Sequence, residues 1–403
     1  MKKVFLSALL IGATGMIFAQ NNTSTVNQTG VNNGSAIVQI GNDNNSLVSQ
    51  NGAINPLGGE DNMATVLQVG SFNDAGIDQK GDRNDASITQ TGAFNFSRQE
   101  QGLGWAEDNV QIAEQVGTGN VNYQLQRWDQ NTGEVYQNGV GNYANQDQRT
   151  MANGILGSHA VINQTGILNT AYQTQRGSGN YADAYQNGFL NYSNQYQEGI
   201  DNNAYVIQYE SFNEAYQTQY GNDNYAIAYQ NDLGVGGSNL SIQTQSGSFN
   251  NATVDQGGPA ISNQAYQTQN GDLNIAYVSQ TGLGNISFQN QLGVANESYT
   301  FQDGLANISG TDQNGLGNLA LTNQTGLFNA SGVLQIGSLN EAYVNQDGIA
   351  NISGVLQSGT SNFANINQTG LGNISASAQF GMGHSHTLNQ VGVGNVSLNF
   401  QSN

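Results

Sequence analysis

A chain of 403 residues could hold two or three ordinary domains, but only 9% of this one is charged, 53 residues are Gly, none is Cys, and Asn and Gln fill much of the rest. That composition excludes a conventional oily core, while 18 Tyr, 14 Phe and abundant Ile and Val exclude the charge-rich disorder of a solvated tail. A formal charge of −20, with no Lys or Arg beyond Arg176, excludes nucleic acid and anionic lipid as partners, because both call for a basic surface.

In chain order, residues 1–19 read as a secretory signal peptide. Lys2 and Lys3 precede an apolar run from Val4 to Phe18 that ends at the small Ala19, and the run is too short and too interrupted for a membrane anchor. Its removal leaves six basic against 28 acidic residues, a net charge of −22. No later segment reaches transmembrane length, so stable membrane insertion is not expected. An exported chain without Cys has no disulfides to draw on.

The pattern that fills 20–403 begins at Asn27 and Gln28. Gln recurs every eleven residues from Gln28 to Gln50, Gln68 to Gln101, Gln115 to Gln148, Gln164 to Gln230, Gln245 to Gln256, and Gln269 to Gln401, giving 33 register positions. The stretched intervals near 51–67, 102–114, 149–163, 231–244 and 257–268 read as loop insertions, and both prolines, Pro56 and Pro259, fall inside them. The longest block is the most regular. Its Gln280, Gln291, Gln302, Gln313, Gln324, Gln335, Gln346, Gln357 and Gln368 are each followed two residues later by Gly282, Gly293, Gly304, Gly315, Gly326, Gly337, Gly348, Gly359 and Gly370. Five residues after each of these Gln stand Asn285, Asn296, Asn307, Asn318, Asn329, Asn340, Asn351, Asn362 and Asn373.

Within a unit such as Asn340, Ala342, Val344 and Gln346, alternate positions carry Asn, Ala or Ser, a β-branched or amide residue, and Gln. A period of two over seven residues is a strand with one consistent face. The Gln-x-Gly-x-x-Asn link supplies the turn, since Gly permits unusual backbone angles and Asn tolerates tight turns. Outward residues return every second unit: Tyr277, Tyr299 and Tyr343 fall in one set and Gly310, Gly332 and Gly354 in the other. The expected fold is therefore all-β, a two-sheet β-solenoid with two strands per 22-residue coil. Its 33 strands make about 16 coils, a rod of roughly 75–80 Å at the usual 4.8 Å spacing.

The Asn and Gln face inward in this reading. A buried amide left unpaired costs about 1–3 kcal/mol, and identical side chains one coil above and below can satisfy one another as a ladder. The pattern runs to both ends, from Asn27 and Gln28 to a last strand holding Asn395 and Gln401, and leaves no segment to cap either edge. Such edges, joined head to tail, extend without closing.

The unit resembles the curlin repeat of curli-type bacterial amyloid subunits, S-x5-Q-x-G-x2-N-x-A-x3-Q. Gln346, Gly348, Asn351 and Gln357 occupy its register positions, and Ser353 stands in place of its Ala. The resemblance implies secretion through a dedicated outer-membrane channel, a nucleator or chaperone as partner, polymerisation at the cell surface, and a structural role in biofilm and adhesion. This chain departs from the pattern in carrying Asn340 where the family has Ser, in a much longer array, and in showing no long leader after the signal. The other reading of the same solenoid is a monomeric or surface-tethered adhesin, or an ice- or glycan-binding rod using the flat Ile and Tyr rows.

No catalytic triad or metal-ligand spacing surrounds His159, His384 or His386, so neither an enzyme nor a cofactor is expected. His384 and His386 occupy the Asn and Ala/Ser positions of one unit. They read as a tolerated imperfection, with a pH or metal switch as the alternative. A Tyr-rich block from Tyr172 to Tyr216 points mostly outward, as β-favouring residues on a solvated face do. Arg127, Trp128 and Arg176 fall in or near turns and suggest no role.

Overall fold

The computed structural model describes residues 21–51, 59–102, 106–150, 156–230 and 237–403. The segment read as a signal peptide lies outside them. The described residues form 35 strands and no helix. Two of these strands, Gly59–Glu60 and Ala260–Ile261, have two residues each, and each of the other 33 contains one register Gln.

All pairing is parallel and skips one strand, so that Glu341–Ile349 lies between Leu319–Leu327 and Phe363–Leu371 with Gln324, Gln346 and Gln368 in register. This builds two sheets. The first runs from Thr23–Val31 to Val396–Ser402 and the second from Gly34–Asn42 to Ser385–Val393. Consecutive full strands alternate between them, which places 17 full strands in the first and 16 in the second. The fold is the expected two-sheet solenoid of 22-residue coils. Neither ladder closes on itself: among the described residues the strands at both ends are paired on one side only.

Two local features differ from the sequence reading. Most strands have nine residues rather than seven, because the chain keeps pairing with its neighbours as it bends through the Gly: Gly348 lies opposite Gly370 and Ile349 opposite Leu371. The second concerns the turn. The left-handed residue is not the Asn but the one before it, such as Leu339 (φ 54°), Ala350 (55°) or Ser361 (54°). Asn340 already begins the next strand's inward row. The first strand likewise starts earlier than Asn27, at Thr23, with Asn22 in the register position and Asn27 outward.

The inserted residues sit between a register Gln and the following corner. Those after Gln50, Gln101 and Gln148 open at the corner leading from the first sheet to the second, and those after Gln230 and Gln256 at the opposite corner. Strand structure resumes within each interval, at Met63, Val110, His159, Leu240 and Gln264. Pro259 lies in the last insertion, and Pro56 lies outside the described residues.

Between the sheets the interior is thin. Ala64, Ala86, Ala320, Ala342 and Ala364 let the sheets approach, and Val66, Ile88, Val344 and Ile366 fill the middle. Apolar clusters of this kind are larger near the two ends of the rod than in its centre.

Candidate assembly surface: amide ladders and open ends

The register Gln form one unbroken hydrogen-bonded column per sheet. In the first, every step from Gln28 to Gln401 has an Nε2 donating to the Oε1 of the next coil, at 2.6–3.3 Å. The second repeats this from Gln39 to Gln390 at 2.8–3.0 Å. The spare Nε2 hydrogen donates to a backbone carbonyl of the opposite sheet, as Gln346 does to Ala330 at 2.9 Å. The insertions do not break either column, because they leave the chain only after the Gln has been placed.

Each register Asn does a different job. Asn340 Oδ1 accepts from both the backbone N–H and the Nδ2 of Asn362, at 3.2 and 3.0 Å, while Asn340 Nδ2 donates to Gly359 O at 3.1 Å. The side chain thus serves the backbone at the corner, where the left-handed residue interrupts the strand. Ser158 takes the register position once, and its N–H still reaches Asn131 Oδ1 at 3.2 Å. The register Gln and Asn from Gln280 to Asn373 named above are all at most 2% exposed.

The corner Gly from Gly282 to Gly370 have φ between 93° and 139°. A Cβ on Gly348 would collide with the carbonyl oxygen of Gly370, so both the backbone angle and the close coil contact require Gly. Glu210 occupies this column opposite Gly188, with φ 63°.

A third ladder was not anticipated from the sequence. In the first sheet, the residue two before the register Gln is itself Gln from Gln99 to Gln289, and these side chains bond coil to coil at 2.8–3.0 Å. The recurring Gln-x-Gln of this block was the available signal. Opposite it the second sheet presents Ala113, Val135, Ile162, Ala184 and Val206, which makes the middle of the rod asymmetric.

The two kinds of ladder point in opposite directions. Gln Nε2 donates toward the C-terminal end of the rod, whereas Asn Nδ2 donates toward the N-terminal end. The C-terminal face therefore offers donors from Gln390 and Gln401 and an acceptor from Asn395. The N-terminal face offers acceptors from Gln28 and Gln39 and donors from Asn22 and Asn33. Unlike ends are complementary, and like ends oppose donor to donor.

Charge follows the same division. All acidic residues but Asp43 lie between Glu60 and Asp347, so both end faces are almost uncharged while the flanks are strongly acidic. On the flank of the second sheet, burial raises the Asp183 carboxyl above its usual range, opposed by His159, and burial with Asp183 nearby pushes Tyr181 up to about 12.

His384 and His386 are the last inward-register residues of the second sheet except for Leu388 and Gln390, and lie on the C-terminal face. His384 Nε2 lies 2.9 Å from Phe380 O, and His386 Nδ1 lies 3.0 Å from Ser377 Oγ. Burial pushes the His386 pKa down. Among the described residues no group of three or more His, Cys, Asp or Glu could hold a metal.

The outward rings form zigzag rows. Phe96, Tyr123, Tyr143, Tyr172, Tyr192 and Tyr216 stack coil to coil with centroids 5.2–6.0 Å apart on the first sheet. Arg127, Arg149 and Arg176 share one column; Arg149 pairs with Asp147, and Arg176 lies over the Tyr196 ring. Trp128 sits at the bend after Arg127 with φ 70°. Further along the same sheet, Gly310, Gly332 and Gly354 floor a shallow apolar groove of about 580 Å³ walled by Leu334 and Leu356.

The family described as curlin associated repeat matches residues 59–92. No curated protein matches the chain.

Proposed function

We propose that this chain, which carries the curlin associated repeat within a solenoid of like units, is a secreted subunit that polymerises head to tail into curli-like amyloid fibres. The fibres would form part of an extracellular biofilm matrix and support adhesion and aggregation. The observation that carries the reading is the pair of complementary, almost uncharged end faces, each exposing one half of the register Gln and Asn ladders. A second copy is the partner that completes both halves, and acidic flanks disfavour side-by-side collapse before growth. Export by its signal peptide and a curli-type outer-membrane channel, with a nucleator or chaperone, is part of the same proposal and rests on the resemblance to the curlin repeat. A structural rather than catalytic role, without cofactor, nucleic acid or membrane insertion, completes the proposal.

The test is direct. The mature chain (residues 20–403), diluted from denaturant, is expected to form thin unbranched fibres that bind amyloid dyes and diffract near 4.8 Å. A discrete monomer with β signal that persists for days at neutral pH would overturn the reading in favour of a monomeric rod.

A further inference from the structure

Resting on the fibre reading above, we infer that each incoming copy docks after a half-turn about the rod axis, so that the first sheet of one molecule continues the second sheet of its neighbour. The argument begins with strand number. The described residues hold 33 full strands, an odd number, so the two sheets end half a coil apart. At the C-terminal end the lower open strand is Ser385–Val393, in the second sheet, and Val396–Ser402 of the first sheet stands half a coil above it. At the N-terminal end the strand that must land first is Thr23–Val31, of the first sheet.

If the copies stacked without rotation, Thr23–Val31 would rest on Val396–Ser402 and the second sheet would lack one whole strand at the joint. The backbone groups on either side of that gap would lose their partners. A half-turn lets Thr23–Val31 rest on Ser385–Val393 and Gly34–Asn42 on Val396–Ser402, with no gap. The amide columns allow it, because both sheets carry Gln and Asn at the same positions and with the same polarity: Gln390 meets Gln28, Gln401 meets Gln39, and Asn395 meets Asn33 of the incoming copy. The one rung lost is at His384, below Asn22, and the interior already tolerates such a loss at Ser158.

An independent observation comes from the outward residues. After the half-turn Thr23, Thr25, Asn27 and Val31 of the incoming copy lie over Ser385, Thr387, Asn389 and Val393, while Ala36 and Val38 lie over Leu398 and Phe400. Most of these outward pairs match in polarity, with Thr29 over Val391 and Ile40 over Ser402 as the exceptions. Without rotation Thr25 would lie over Leu398 and Asn27 over Phe400, whose side chains are 77% and 70% exposed in the single chain. The half-turn also extends an outward Asn column already formed inside the molecule, where Asn367 Nδ2 donates to Asn389 Oδ1 at 2.9 Å.

The absence of Cys makes cross-linking clean. Fibres are grown from three double variants of the mature chain: Asn27→Cys with Asn389→Cys, Asn27→Cys with Phe400→Cys, and Asn367→Cys with Asn389→Cys as an intramolecular control of the same geometry. After mild oxidation and dissolution, the 27/389 pair is expected to yield covalent multimers roughly tenfold above the 27/400 pair, since neighbouring in-register strands lie within disulfide reach. Multimers from 27/400 instead, or from neither pair while the control closes, would overturn the half-turn and leave the fibre reading standing. Failure of the unsubstituted chain to form fibres would overturn both. Should the variants not polymerise, images of unsubstituted fibres decide: the insertions after Gln50, Gln101 and Gln148 leave one edge of each copy, so a half-turn places them on alternate edges with a repeat of two molecules. A repeat of one molecule would refute it.

Discussion

Replacing Gln346 by Leu keeps the volume and removes the amide. Gln346 accepts from Gln324 Nε2, donates to Gln368 Oε1 and donates to Ala330 O, each at 2.9 Å. Three bonds at about 1 kcal/mol each are lost, and Gln368 Oε1 is left buried without its donor at a further cost of about 1–3 kcal/mol. The buried Leu returns about 1–2 kcal/mol. The net cost is about 2–5 kcal/mol, concentrated in the coils from Leu319 to Leu371, because a solenoid couples only nearest neighbours. The outward Tyr343→Leu loses a ring contact with Phe363 at 5.8 Å and a long 3.4 Å bond to Glu341, worth about 1 kcal/mol or less. Asn345→Leu loses one exposed bond from Asn323 at 3.2 Å. Amide hydrogen exchange resolved by segment is the suitable assay, since repeat arrays need not unfold in one step. Protection over 319–371 is expected to fall by at least about tenfold more for Gln346→Leu than for either outward variant. Equal loss, or greater loss from Tyr343→Leu, would refute the ladder as the source of stability.

Gly348→Ala is expected to loosen the same coils by more than about 2 kcal/mol, since a left-handed φ of 126° and the carbonyl of Gly370 both oppose a Cβ; seeded growth rate and exchange report it. Ser309 and Ser353 have buried hydroxyls without partners, so Ser309→Ala and Ser353→Ala are expected to raise stability by about 1 kcal/mol each, visible as slower exchange in their coils. Burial lowers the pKa of His386 in the folded chain. The unfolded chain takes up a proton below its ordinary pKa near 6.5 while the folded chain resists, so stability at this end is full above that pH and declines as the pH falls toward 5. No Asp, Glu, Lys or Arg follows Asp347, so no other charged side chain near the chain end competes with His386 in this range. The double variant His384→Asn with His386→Ala is expected to grow faster than the parent at pH 5 and to lose this dependence; parent growth that does not change from pH 5 to 8 would remove it.

The sheet pairing, coil length and inward rows were legible because a strict eleven-residue spacing admits one solution: Gln324, Gln346 and Gln368 can stack only if alternate units share a sheet. What escaped was local. The corner places its left-handed angle on Leu339, Ala350 or Ser361, residues whose chemistry gives no warning, because the Asn that follows holds the backbone through its side chain. The third Gln ladder escaped because Gln at that position is mixed with Val, Ile and Ala until the strands are sorted into two sheets. Only then do Gln99 to Gln289 fall into one column.

An amide interior also explains why polymerisation can be accurate. Apolar residues such as Val344 and Ile366 are attracted to any apolar neighbour, so a stack held by them alone could slip along the strand or reverse an end without a large penalty. A Gln column is directional and spaced one residue wide. Sliding the joint by two residues would set Gln28 of the incoming copy against Leu388, burying an amide against carbon. Reversing an end would oppose the free Nε2 of Gln390 to another Nε2. Each error leaves buried polar groups unpaired at about 1–3 kcal/mol apiece, and the column makes several such errors at once. The hydrophobic strip brings copies together, and the amides reject every placement but the one in which the ladder continues.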